Sequence, residues 1–552
     1  MTARRPVALA AVLALGAALA VGIPIDVPAA ARSDLARLVC ERVPLEHLIR
    51  AARGWDEDRG AEIALFPKEP DFVGLGLPHD GPWDYIQRVP MFWYGPGYVP
   101  ARGRVQEPAT LADIAPTQAR LLAFDFDAPD GKVLRAALDP QVGAEGYRPP
   151  RLVVVWVWDA AGINVLEEHA DAWPYLRSLI PKGVWFDRAI VGSSPVSTAQ
   201  MHATIGTGAF PARHGLISKR MRVGGRITTP WQAGPIFLRL PTLADLYDLA
   251  NDNRPVVGMA GTVDIHLGMM GHGAFWNGGD RDVVLTRQVV GETLAEEGFE
   301  WNLKPSLTPY YRLAGYANDV GGLERLKREL DRRDGRLDGR WRDNDIDQLL
   351  QGFNTPARTP YQQLVVEELI RRERFGADDV PDLLYLNYKE IDYISHVWSM
   401  NSPEMHDAVV YQDQALRRMV GFLNREVGRG RWAMVITADH ASMPNPAVSG
   451  GFQANPAPIA ALLRDRFDPD GDDVPLVESV QPGQIFLNEQ ELAEHGGTLE
   501  QVARYLMTLT KAQTGAGFEP APGTGNEPAI AVAMPSRLFR DLPCLPEDER
   551  PA

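Results

Sequence analysis

Cysteine is almost missing from this chain of 552 residues, which holds only Cys40 and Cys544. Two cysteines allow one bridge at most, and in an exported protein they either pair or stand as separate thiols. Positive charge is also scarce. Lys and Arg number 56 against 72 Asp and Glu, a net charge of −16. That deficit excludes a nucleic-acid polymer as partner, because binding one needs a basic surface. It leaves room for a local positive site for one small phosphate ester. No internal repeat or long low-complexity tract occurs, and no cysteine lies near the small-residue site that closes the N-terminal apolar run, so a lipoprotein is not supported. Hydrophobic residues make up 45% of the chain, ample for a buried core. The length exceeds an average domain, yet α/β enzymes of this size often carry one core plus insertions.

The first residues, MTARRPVALAAVLALGAALAVGIPIDVPAAARS, combine a basic start with an apolar run from Val7 to Ile23 and a small-x-small site at Ala29 and Ala31. Residues 1–31 therefore read as a secretory signal peptide. The alternative is an uncleaved anchor, since the run approaches spanning length. Arg4-Arg5 is compatible with a twin-arginine signal. Export, and from the Ala, Arg, Asp and Pro bias a bacterial source, are the expectations. No stable membrane anchor is expected if the segment is cleaved.

The informative stretch runs from Arg151 to Leu216. RLVVVWVWDAAG is a short apolar block closed by Asp159, the pattern of a buried strand. An acid at the C-terminal end of such a strand lies where open α/β sheets bind ligands. SSPVSTAQMHATIGTGAFPARHGL follows, with Thr198 opening a helix-like segment. A hydroxyl there is either an N-cap or a nucleophile activated by a metal and the helix dipole. Two further strand-end clusters come later. DLLYLNYKEIDYISH carries Asp392 and His396, and WAMVITADH carries Asp439 and His440. Carboxylates and imidazoles in this order around a threonine are the makings of a two-metal site, for which zinc is the best match, with manganese and iron as alternatives.

These motifs together resemble the alkaline phosphatase superfamily, most closely its nucleotide pyrophosphatase/phosphodiesterase and phosphomonoesterase branches. The most specific part is T-x-x-x-H-A-T-I-x-T-G-x-x-P-x-x-H-G, from Thr198 to Gly215. The resemblance implies a three-layer α/β/α sandwich with a central, mostly parallel sheet and cap-like insertions, here as one catalytic domain over 32–552 with a cap expected within 219–381. It implies two divalent ions, one held by Asp159, Thr198, Asp439 and His440 and the other by Asp392, His396 and His79. Thr198 is the implied nucleophile, forming a phospho-threonine. His202 reads as packed inside its helix, Asp413 as a structural hydrogen-bonding group, and Asp264, His266 and His272 as loop and strand-end residues.

One block stands out of order. PHDGPWDYIQRVPMFWYGPGYV and TLADIAPTQARLLAFDF, within 63–126, resemble a segment that in this superfamily closes the C-terminal end and supplies the last histidine of the metal site. Here it precedes the first strand, and the only late His-Gly, His495-Gly496, lacks the motif that should follow. The chain thus reads as circularly permuted, with His79 as the displaced ligand and Asp80 where glycine is usual. A fold tolerates permutation where its termini are close in space. It predicts that Cys40 and Cys544 are neighbours and pair.

The Lys-x-Arg pair that phosphomonoesterases of this group direct at phosphate is missing from Gly261–Trp276, and Lys219 takes the place of their asparagine. Loss of that clamp favours a monoanionic diester, so a phosphodiesterase or nucleotide pyrophosphatase is expected. The alternatives are a phosphomonoesterase using Lys219 and a non-catalytic exported binding protein. A sulfatase is disfavoured, because the Cys-x-Pro-x-Arg or Ser-x-Pro-x-Arg motif is absent. Nothing in the sequence indicates an oligomeric state.

Overall fold

The computed structural model describes residues 29–231, 234–287, 300–351, 355–470, 472–517 and 519–551. The leader expected over residues 1–31 lies outside them, save for Ala29, Ala30 and Ala31, which open the first helix (Ala29–Arg42). Among the described residues, no helix is long and apolar enough to cross a membrane.

The chain folds as an α/β sandwich around a nine-stranded sheet. Across the sheet, the strands run Tyr311–Leu313, Asp282–Leu285, Val257–Ala260, Asp382–Tyr388 and Leu152–Trp158. They continue through Trp432–Thr437, Met91–Tyr94 and Val184–Ile190 to Gly103–Thr110. Only Met91–Tyr94 runs antiparallel to its neighbours. The three middle strands, LVVVWVW, DLLYLNY and WAMVIT, are buried at every position. That is why each reads as an unbroken apolar run: parallel strands covered on both faces have no solvent side. Burying one such large side chain is worth roughly 1.5–3 kcal/mol, so these strands dominate the core.

Residues 219–381, the range within which a cap is expected, extend the core. They contribute three strands of the central sheet, Val257–Ala260, Asp282–Leu285 and Tyr311–Leu313. Within that range the short hairpin Arg340–Trp341/Asn344–Asp345 is inserted, and Trp341 Nε1 and Arg342 both bond Asp407 in the helix Pro403–Leu423.

A second, four-stranded sheet places Ile63–Phe66 between Gln484–Leu487 and Val532–Pro535, antiparallel to both. It has its own apolar cluster, built from the first helices and the last 100 or so residues. Cys40 and Cys544 form a disulfide in this cluster, with Cα atoms 5.8 Å apart. The two ends of the described chain are therefore joined.

The helix Thr198–Thr207 is buried along its whole length. It ends where Gly208 adopts a left-handed φ of 65°, its N–H bonding the Thr204 carbonyl, as glycine caps do. Gly206 lets this helix touch the 3₁₀ segment Asp264–Met269. A Cβ there would lie 2.5 Å from the Gly268 carbonyl oxygen and 2.6 Å from that of Met269. Alanine normally favours a helix by about 1 kcal/mol over glycine, but this clash is with backbone and outweighs that gain. Gly206→Ala is expected to cost a net ~1–3 kcal/mol, read as a lower midpoint in urea unfolding; an unchanged midpoint would show that the two segments are not in rigid contact.

Candidate active site

Four parallel neighbours, Val257–Ala260, Asp382–Tyr388, Leu152–Trp158 and Trp432–Thr437, end at the same edge of the sheet. The residues just beyond them meet there: His266, Lys389 with Asp392, Asp159, and Asp439 with His440. All except Lys389 and Asp392, which retain slight exposure, are fully buried. This is the edge where parallel α/β sheets place their chemistry. The loops are tied to one another. Asp439 Oδ1 accepts from the backbone N–H of Ala160 at 3.1 Å, and Ser442 Oγ donates to the Ala160 carbonyl at 2.9 Å. Gly162 permits the contact, since a Cβ would meet that of Ala441 at 2.1 Å.

Thr198 is the first residue of its helix; the cap position belongs to Ser197. The Thr198 hydroxyl is thus not engaged in capping. It accepts a hydrogen bond of 3.1 Å from Lys389 Nζ. The same ammonium lies 2.9 Å from Asp159 Oδ1 and 2.8 Å from Asp392 Oδ2. Asn387, two residues back in the strand, donates to Asp159 Oδ2 at 2.8 Å and lies 2.9 Å from His202 Nε2. His202 Nδ1 faces the Thr198 carbonyl at 2.7 Å, which only accepts, so Nδ1 carries the proton. Both nitrogens of His202 are thereby used, and the ring braces the Thr198 helix against the sheet.

The other imidazoles are different. His440 Nδ1 faces the Ala441 carbonyl at 3.1 Å, which leaves its Nε2 a free lone pair with no hydrogen-bond partner. His396 Nδ1 faces the Leu77 carbonyl at 3.1 Å, so its Nε2, 3.5 Å from Asp392 Oδ1, is likewise an acceptor. His79 stacks on His440 with centroids 3.6 Å apart and sets Nε2 3.4 Å from Asp392 Oδ1. Asp392 Oδ1 and Asp439 Oδ2 are buried without a hydrogen bond. Unpartnered lone pairs of this kind are costly unless a cation collects them. His79, Asp392 and His440 offer donor atoms within 4.8 Å of one another, as do Asp159, Asp439 and His440. The donor set fits a divalent metal.

The charges agree with that reading. Burial opposes the charge of Lys389, but Asp159 and Asp392 outweigh it and hold its pKa above the ordinary lysine value. Burial likewise opposes ionisation of Asp159, and Lys389 with the nearby imidazoles overcomes it, keeping Asp159 an anion. Asp439 has no such partner; burial and then the Asp159 charge push its pKa well up. Burial, with His440 for His79, lowers the pKa of both imidazoles, so they are neutral and able to bind a metal.

The structure brings together Asp159, Thr198, Asp392, His396, Asp439, His440 and His79. Lys219 is not part of the cluster: it is exposed in the loop after the helix Pro211–His214, and the cation beside Thr198 is Lys389. His495 lies on the second sheet's side of the molecule, bonded to Glu491 at 3.0 Å. Asp413 accepts from the N–H groups of Tyr175 and Leu176 and so anchors a helix start. Of the three residues read as loop and strand-end positions, Asp264 pairs with Lys304 and His272 with Asp245. His266 instead reaches the site, its Nε2 3.5 Å from Asp159 Oδ2 with neither nitrogen hydrogen-bonded. Sequence reasoning missed His266, Asn387 and Lys389. The available signal was position: each follows or ends a central strand.

The profile of the type I phosphodiesterase / nucleotide pyrophosphatase family matches residues 153–539. The chain belongs to that family. It is a phosphoric ester hydrolase by membership. Among curated relatives it is similar to a calcium-transporting ATPase of Myroides odoratus, 22% identical over 72% of this chain and 80% of that one. It is also similar to alkaline phosphatase PafA of Elizabethkingia meningoseptica, 26% identical over 29% of this chain and 30% of that one. Alkaline phosphatase PhoV of Synechococcus elongatus is 22% identical over 60% and 65% of the two chains. The crystal structure of PafA superposes with a TM-score of 0.49 at 16% identity, covering 71% of this chain and 85% of that one.

Asp80, beside His79, accepts from the N–H groups of Gly81 and Val196, both at 2.8 Å. It thereby links the His79 loop to the loop before Thr198. Burial raises its pKa from 3.8 to about 7. Between those values the unfolded chain has lost a proton that the folded chain keeps, so this group makes folding less favourable as pH rises through that window. Asp80→Asn retains an acceptor oxygen and cannot ionise. Its melting temperature should exceed the wild type's at pH 8, by the equivalent of about 1–2 kcal/mol after allowance for partial exposure, and match it near pH 4. An equal gain at both values would mean the carboxylate charge is not the cause.

Proposed function

We propose that the chain is an exported, metal-assisted hydrolase of small phosphodiesters and nucleotide-type pyrophosphates, with Thr198 as nucleophile. The observation that carries this reading is the Thr198 hydroxyl itself. It is uncapped at the start of a buried helix and hydrogen-bonded by Lys389 among Asp159, Asp392 and Asp439. The helix N-terminus and the ammonium both favour negative charge on Oγ1. In the first step a bond forms from Oγ1 to phosphorus and the bond to the leaving oxygen breaks in line. The proton released by Thr198 ends on the departing group, directly or through solvent. Water then cleaves the phospho-threonine, which restores the hydroxyl. Lys389 orients Oγ1 by donating to it, and His202 and Asn387 fix the helix and Asp159 that frame it.

His79, Asp392 and His396 would hold a divalent ion, with zinc the best match to two imidazoles and a carboxylate. When bound, such an ion supplies positive charge to an ester oxygen. Of the other expected ligand set, Asp159, Thr198, Asp439 and His440, the first two are in contact with the Lys389 ammonium.

Circular permutation belongs to the same proposal. Three features support it: the disulfide that joins the chain ends, the strand Met91–Tyr94 seated beside Trp432–Thr437, and His79 stacked on His440. The bridge also supports export, since disulfides persist in oxidising compartments.

A diester preference follows from the missing Lys-x-Arg clamp and from the exposed position of Lys219. A phosphomonoesterase is the second reading, favoured by the relatives described as alkaline phosphatases. With zinc supplied, kcat/KM for bis-p-nitrophenyl phosphate is expected to exceed that for p-nitrophenyl phosphate by at least about tenfold, a margin of ~1.4 kcal/mol. The reverse order would select the monoesterase. Thr198→Ala should lower turnover of the preferred ester by roughly 10³-fold or more; full activity in that variant would remove Thr198 as nucleophile.

A further inference from the structure

We propose that Lys389 permanently takes the place of one of two active-site cations, so that the centre holds a single divalent ion. The inference rests on the reading of this cluster as a metal-assisted hydrolase site and specifies its cation content.

The placement of the ammonium is the first argument. Nζ has three hydrogens, and three oxygens surround it: Asp159 Oδ1, Asp392 Oδ2 and Thr198 Oγ1, at 2.8–3.1 Å. Asp159 and Thr198 accept hydrogen bonds from it, and Asp392 forms an ion pair with it. Asp159 and Thr198 are members of one expected ion's ligand set, and the Asp392 oxygen in contact is the one turned away from His79 and His396. A divalent ion bound at ~2.1 Å to the same Asp159 oxygen and Thr198 hydroxyl would compete with Nζ for those lone pairs and repel its charge. Lys389 has little room to withdraw. Its side chain is only 6% exposed, on a residue held between the fully buried strand Asp382–Tyr388 and the helix Glu390–Trp398.

The unpartnered lone pairs lie largely away from the ammonium. Asp392 divides its two oxygens: Oδ2 meets Lys389, while Oδ1 is free and faces His79 Nε2 at 3.4 Å and His396 Nε2 at 3.5 Å. His440 Nε2 and Asp439 Oδ2 are also free, 3.3 Å apart; His440 is shared between the His79 and Asp392 group and the Asp159 and Asp439 group, and in the second Lys389 already holds Asp159. The single ion therefore belongs on the His79, Asp392 and His396 side, with His440 turned toward it, and the ammonium occupies the Thr198 side.

The test is the zinc content of the full mature chain, measured by elemental analysis after saturation with zinc and removal of loosely bound ion, alongside diester hydrolysis. About one ion per chain is expected in the wild type, and about two in Lys389→Ser, in which the ammonium is gone and its oxygens are free. If Lys389→Ser fails to fold, the longer neutral variant Lys389→Gln serves the same purpose, and the wild-type count decides on its own. Two ions in the wild type with hydrolysis intact would overturn the inference and leave the proposed function standing. No retained ion in the wild type would overturn it as well. One ion in a wild type that hydrolyses neither a diester nor a monoester would uphold the cation assignment while removing the proposed function.

Discussion

A carboxylate sealed away from water must be paired, and the structure of this protein's site follows from how that demand is met for Asp159. Its position at the end of the central strand Leu152–Trp158 leaves it with no exposure at all. An isolated anion there would cost far more than the few kcal/mol by which a domain is stable. Lys389 answers one oxygen and Asn387 the other. Both partners come from the neighbouring strand Asp382–Tyr388 and the residue after it, so the pairing of two strands in register is also what assembles the charge pair. Thr198 and His202 are then fixed through the same two side chains.

The second organising feature is the way distant segments are brought against this centre. His79 lies on a loop that precedes every strand of the nine-stranded sheet, yet it stacks on His440. It is held there from two sides. Asp80 bridges to Val196, and Gln87 Nε2 donates to the Ser193 carbonyl at 2.9 Å. These are bonds to the loop that precedes Thr198, so the histidine's place and the threonine's place are set by one network. The disulfide at Cys40 and Cys544 closes the second cluster behind it. A long chain whose ends are joined has fewer unfolded conformations to lose.

Sequence and structure agree most closely on the strands. Each of the apolar blocks ending at Trp158, Tyr388 and Thr437 is a fully buried strand, because a parallel strand covered on both faces leaves a contiguous apolar signature. The acids that follow them were legible for the same reason: polar residues directly after such runs are conspicuous. The segment 219–381 was partly legible: RPVVGMAG, Arg254 to Gly261, reads as a central strand, and Val257–Ala260 is one. Asp282–Leu285 and Tyr311–Leu313 are four residues or fewer, and a run of that length between polar loops does not declare whether it joins the sheet or covers it.

The strand-end acids and their order, the threonine at the head of its helix and the histidine block before the first central strand are all legible in the linear chain. Each of these is a local pattern of residue type and spacing. What fills the space among them is set by the packing of distant strands. Lys389 immediately follows a strand and, read linearly, is one more polar residue before a helix; His266 reads as a loop histidine. Their roles come from neighbours 191 and 107 positions away, Thr198 and Asp159. Strand order is what creates those neighbours. A single sequence records which side chains are available, whereas the electrostatic partner of each buried charge depends on which strands lie side by side.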